Sequence, residues 1–144
     1  GSYGGYAALM SAIKDDDLFE CAASLNGVTS VYHLVKYFDS LRFSLLTVPR
    51  IKGRLSNRSL RRRSPLYRAD LINLPVLLLH ATNDANVPFE QGVGMAKALK
   101  DEDKDHTFIV LKDAEHQLKR GQDRLMYYQA VADFLNKHTV DVGR

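Results

Sequence analysis

The chain has 144 residues, 45% of them hydrophobic and 26% charged, and carries a net charge of +3. That length and balance describe one globular domain able to bury about 70% of its unfolded surface; no run of roughly 18 apolar residues is present to span a membrane. A single cysteine, Cys21, excludes an internal disulfide and leans toward a reducing, cytoplasmic compartment.

The chain opens GSYGGYAALMSAI. Gly-Ser at a terminus is what a cleaved tag leaves, but a tag remnant does not run on into YGGYAAL. Tyr3 to Ile13 predicts a short buried helix behind a tight glycine-rich turn, stopped by Lys14-Asp15-Asp16-Asp17. Phe19 to Val28 predicts a buried strand closed by Asn26-Gly27. Apolar residues at Val31, Leu34, Val35, Phe38 and Leu41 give residues 30–41 helical spacing.

From Arg42 to Ala69 the pattern dissolves into an arginine-rich, loop-like stretch with about one helical turn before Ser64-Pro65. Within it Arg54, Arg58, Arg61, Arg62 and Arg63 crowd together without interleaved aromatics or a nucleic-acid-binding motif. The cluster therefore reads as a solvated or interdomain face, and no nucleic-acid partner is expected. The triplet Asn57-Arg58-Ser59 fits a glycosylation acceptor, a pattern short enough to arise by chance.

PVLLLH, residues 75–80, is the clearest strand, apolar on both faces as a strand covered by helices on each side must be. Residues 82–86 read as a turn, Glu90 to Leu99 as a helix, His106 to Leu111 as a strand and Lys112 to Gly121 as a loop. A long helix follows over Gln122 to His138, with Leu125, Tyr128, Val131, Ala132 and Leu135 on its apolar side. Strands alternating with helices define an α/β fold: a mostly parallel sheet wrapped on both faces.

In such a sheet, ligands gather beyond the carboxyl ends of the strands. The loop after PVLLLH offers Asp84, and DAEHQL, after HTFIVL, offers His116. A strand ahead of Gly1 would put Ser2 in the turn between it and the first helix. Ser, Asp, His is the chain order of the α/β-hydrolases, whose serine sits on a sharp strand-to-helix turn among small residues. Asp84 also fits a plain turn former beside Asn83 and Asn86. His33, His80, His106 and His138 fall where structural or solvated roles suffice, and Cys21 reads as an inert small hydrophobe. Asp113, Glu115 and His116 lack metal-ligand spacing, so neither metal nor cofactor is expected.

GSYGGYAAL resembles the nucleophile segment of the prolyl oligopeptidase family of serine peptidases, whose wider pattern is Gly-x-Ser-Tyr-Gly-Gly. SPLYRADLINLPVLLLHATNDANVP resembles that family's approach to its acid loop, and DAEHQLKRGQDRLMYYQAVADFLNKH its histidine loop and last helix. The similarity covers nearly the whole chain and is closest to the acylaminoacyl-peptidase and dipeptidyl-peptidase-like branches. It implies the C-terminal part of an α/β-hydrolase domain, with upstream strands and a β-propeller outside this sequence. Two departures stand out: the motif's first glycine would precede Gly1, and Ala81 stands where glycine is more usual.

The resemblance implies that Ser2 is the nucleophile, His116 the base and Asp84 its orienting acid. It implies that the Tyr3 backbone N–H is one oxyanion donor, the second being an upstream tyrosine, and that Asn86, Val87, Tyr3 and Tyr32 line the substrate site. Losing one oxyanion donor costs on the order of 10²–10³ in rate, so the chain alone is expected to be crippled. The implied partners are a peptide substrate and the upstream half of the same protein, and a homo-oligomer is compatible. Two other readings stay open: a carboxylesterase-like hydrolase on the same fold, or a non-catalytic fragment that pairs with its missing half.

Overall fold

The computed structural model describes residues 1–40 and 55–139. Leu41 and Arg54, and the stretch between them, lie outside the described residues. In chain order the elements are α1 (Tyr3–Lys14), a 3₁₀ turn (Asp16–Leu18), β1 (Ala22–Leu25) and α2 (Val31–Ser40). After the gap come α3 (Asn57–Arg62), a kinked 3₁₀ segment (Pro65–Leu71), β2 (Val76–Ala81), α4 (Glu90–Asp101), β3 (His106–Leu111) and α5 (Gly121–His138).

The three strands form one parallel sheet in the order β1-β2-β3. All six residues of β2 are buried, as its unbroken apolar run requires of a central strand with both faces covered. Period-2 alternation divides them. Val76 and Leu78 face a core built with Leu9, Ala12 and Ile13 of α1, Ile72, and Met95 and Leu99 of α4. Leu77, Leu79 and Ala81 face the opposite layer, with Leu111, Ala114, Leu118 and Phe134 of α5. Leu9, Leu77, Leu79 and Leu99 are at most 1% exposed, and burying each contributes about 1.5–3 kcal/mol.

The sequence places β2, β3, α1 and α4 within two residues of their observed ends, but Phe19 to Val28 is too long for β1. Only Ala22–Leu25 find partners, opposite Val76–Leu79. The loop-like stretch, where about one helical turn is expected, holds α3, capped by the Ser56 hydroxyl, which accepts from Ser59 N–H. The apolar side of α5 is a correction. Leu125, Tyr128, Ala132 and Leu135 are exposed and of that side only Val131 packs inward, half-buried; the helix buries Asp123 and Phe134, with Tyr127 and Ala130 half-buried beside them. Apolar residues occupy two sides of this helix, so spacing alone does not choose between them.

Helix α1 meets the end of β1 at backbone contact. A Cβ on Gly5 would lie 2.8 Å from Gly27 Cα and 2.5 Å from Ser24 Oγ, whereas one on Gly4 would meet open space. Of the paired glycines in the opening segment, Gly5 is therefore the one the packing demands.

Candidate active site

Ser2 lies between the end of β1 and the first turn of α1. Its N–H donates to the Leu25 carbonyl (2.9 Å) and its own carbonyl accepts from Tyr6 N–H. Its backbone sits at φ 53°, ψ −124°, a conformation that costs a residue with a Cβ on the order of 1–3 kcal/mol. Its hydroxyl caps no N–H of α1. The first N–H groups of a helix have no intrahelical acceptor, so the Tyr3 amide, next along the chain, is a free donor by position.

Asp84 is carried by the loop that leaves β2. Its side chain is fully buried, and both oxygens are occupied. Oδ1 accepts from the N–H groups of Asn86 and Val87, each at 2.8 Å. Oδ2 lies 2.6 Å from Nδ1 of His116. Since Asp84 is the acceptor, Nδ1 carries the proton, and in the neutral ring Nε2 is left as a base. His116 stands in the loop after β3 with its side chain 16% exposed, so the ring is held from inside and open outward. It borders a cavity of about 420 Å³ that Asn86, Glu115 and Lys119 also line.

A second histidine lies under the same carboxylate. Nε2 of His80 is 2.9 Å from the Val87 carbonyl and 3.8 Å from Asp84 Oδ2. Burial holds its pKa below the ordinary histidine value, and the Val87 carbonyl and Asp84 offset only part of this. Neutral His80 therefore donates from Nε2 to Val87 and shapes the acid loop from below.

The other residues named from sequence fall as follows. Tyr3 is exposed, its ring 5.5 Å from that of Tyr6. Asn86 is exposed at the cavity, while Val87 is buried against Val28 and Leu34. Tyr32 packs beside Val35 and Leu60, with the Arg61 guanidinium 4.6 Å from its ring centroid. Cys21 sits just ahead of β1, where burial and then Glu20 raise its thiol pKa. No group of three or more metal-ligating side chains occurs among the described residues.

The sequence pattern of the prolyl oligopeptidase family matches residues 1–141. The chain belongs to the prolyl oligopeptidase family. Among members of this family, it is 25% identical to dipeptidyl peptidase family member 6 of Caenorhabditis elegans over 95% of this chain and 19% of that protein. It is 27% identical to dipeptidyl aminopeptidase BIII of Pseudoxanthomonas mexicana, over 94% of this chain and 20% of that one. The acylaminoacyl peptidase of Pyrococcus horikoshii superposes with a TM-score of 0.81 at 26% identity, covering 99% of this chain and 24% of the other. The fold is thus the α/β-hydrolase fold, and the chain spans about a fifth of the length of the curated relatives it matches.

Sequence reasoning missed one residue at this site of the prolyl oligopeptidase fold. Asn26, read only as half of a turn pair, is 1% exposed and hydrogen-bonds through both ends of its amide. The available signal was Asn rather than an apolar residue at the carboxyl end of a buried strand.

Proposed function

We propose that this chain carries the nucleophile, acid and base of a serine peptidase that cuts short peptides through an acyl-enzyme. The observation that carries the reading is the buried, doubly anchored Asp84 holding Nδ1 of His116 at 2.6 Å. It turns Nε2 into the only free nitrogen of that ring. In this reading Nε2 takes the Ser2 hydroxyl proton as Oγ attacks the scissile carbonyl, and passes it to the leaving amine. Water then repeats the cycle on the ester. The strained backbone and uncommitted hydroxyl of Ser2 support its role. The Tyr3 N–H is assigned to the oxyanion, and Tyr3, Asn86, Val87 and Tyr32 to the lining of the substrate site.

We further propose that the chain is the C-terminal part of its catalytic domain. The Ser2 N–H bond to Leu25 O is what a parallel strand ending at Gly1 would make with β1. The protein to test is therefore one that carries this chain with a complete domain. A fluorophosphonate probe should label it at Ser2, and Ser2→Ala should abolish labelling. Either Ser2→Ala or His116→Ala should lower kcat by on the order of 10⁴–10⁶. A loss below tenfold would overturn the assignment, and ester turnover without peptide cleavage would replace peptidase by esterase.

A further inference from the structure

Three segments far apart in the chain must meet if Ser2, Asp84 and His116 are to act together, and two consecutive residues at the end of β1 touch all three. The Leu25 carbonyl accepts from Ser2 N–H at 2.9 Å. The Asn26 Oδ1 accepts from Ala81 N–H at 2.8 Å, and its Nδ2 donates to the His116 carbonyl at 2.9 Å. Ala81 ends β2 and stands three residues before Asp84. The two partners of the amide are 55 and 90 residues away from it in the chain.

The orientation of the amide is set by these partners: a backbone N–H needs the oxygen and a carbonyl needs the NH₂, so the group cannot be turned over without losing both bonds. Its backbone is anchored as well, the Asn26 N–H donating to Leu79 O at 2.9 Å. Its φ of 48° lies in the left-handed region, which asparagine tolerates better than most residues with a Cβ. Other ties on the histidine loop reach both its ends: Asp113 N–H donates to Thr82 Oγ1 at 2.8 Å and Asn83 N–H to the Ala114 carbonyl at 3.0 Å. Arg120 donates to the Lys112 carbonyl, and Arg124 to those of Leu118 and Lys119. Asn26 alone among these donors bonds to residue 116 itself.

We propose that Asn26 is a positioning residue for the base. Its side-chain amide ties the His116 main chain to the end of the strand that feeds Asp84, and so sets the approach of the imidazole to the carboxylate. This rests on the reading of Ser2, Asp84 and His116 as the reacting groups.

Two variants separate the amide from the backbone it sits on. Asn26→Gly keeps the left-handed conformation and deletes the amide. Asn26→Asp keeps size and the Ala81 acceptor while setting a carboxylate oxygen against the His116 carbonyl. In the protein with a complete domain, each should lower kcat by on the order of 10–10² with KM within about twofold, since small misplacements of a reacting group act on the chemical step. Each should also shift or broaden the downfield proton resonance of His116 Nδ1–H, which a purely structural role would leave in place. Unchanged kcat together with an unmoved resonance in either folded variant overturns the proposal.

If neither variant folds, the unaltered protein decides: the Asn26 side-chain amide should exchange slowly with solvent, and fast exchange overturns the tether. The two readings fail separately. Normal turnover by Ser2→Ala sinks the peptidase assignment, while the His116 resonance would still report whether Asn26 holds the loop.

Discussion

The acid loop and the histidine loop sit side by side at the end of the sheet, yet they are held in opposite ways. Asp84 is fixed by its own neighbours: Asn86 and Val87, two and three residues on, donate to Oδ1, and His80, four residues back, supports the Val87 carbonyl. His116 is tied across the fold by Asn26, 90 residues away, while Arg120 and Arg124 brace its flanking loop from nearby in the chain. Its loop also contains two residues with positive φ other than glycine, Asp113 and Leu118, a conformation that needs external support. Asp84 Oδ1 is thus seated by its own loop and the His116 carbonyl by a residue from across the fold, so the two should respond differently to the same kind of damage.

The sharpest break is chemical. Asp84→Asn keeps the loop's hydrogen bonds to Asn86 and Val87 but removes the charged acceptor for His116 Nδ1, and kcat should fall by about 10⁴ with the fold intact; circular dichroism alongside steady-state kinetics checks both halves. Next comes Gly5→Ala. With Gly27 Cα only 2.8 Å from the new Cβ, backbone must move, and urea unfolding should show a loss of about 1–3 kcal/mol.

A pH series isolates His80. Its folded pKa lies below the ordinary value, so the unfolded chain binds the proton more readily. Stability should therefore be fully present above about pH 6.5 and decline as the pH falls toward the lower folded pKa, by at most about 1.4 kcal/mol per unit. His80→Gln, which can still donate to Val87, should flatten that part of a thermal-unfolding profile. The smallest effect is expected from Arg120→Met. It removes the paired contacts to Asp123 and the bond to Lys112, and amide exchange over residues 113–119 should quicken by roughly two- to tenfold while the Asn86 and Val87 amides, bonded to Asp84, keep their rates.

The same contrast explains what the sequence reveals. Asp84 and the strand before it are legible because the cues are contiguous: the apolar run Val76 to Leu79, then a turn rich in Asn and Asp. His116 is legible by its place after a second such strand, and the opening serine by the small residues around it. Asn26 is not, because its meaning lies in partners 55 and 90 residues away. Nor is the buried side of α5, where two apolar stripes compete and only the position of Leu111 and Ala114 selects the one holding Phe134. The shortness of β1 is hidden for a related reason, since pairing with Val76–Leu79, not composition, ends it.

The stripe of α5 that lost that competition has a practical consequence. Leu125, Met126, Tyr128 and Leu135 face water on a chain whose isoelectric point is near 9.0. As the buffer approaches that value, mutual charge repulsion between molecules fades and the greasy ridge is left to dominate their encounters. Below about pH 6.5 the protonation of His80 erodes the fold instead. Purification and concentration of these 144 residues by themselves should therefore succeed best in the interval between, with turbidity climbing on the alkaline side before any unfolding is seen.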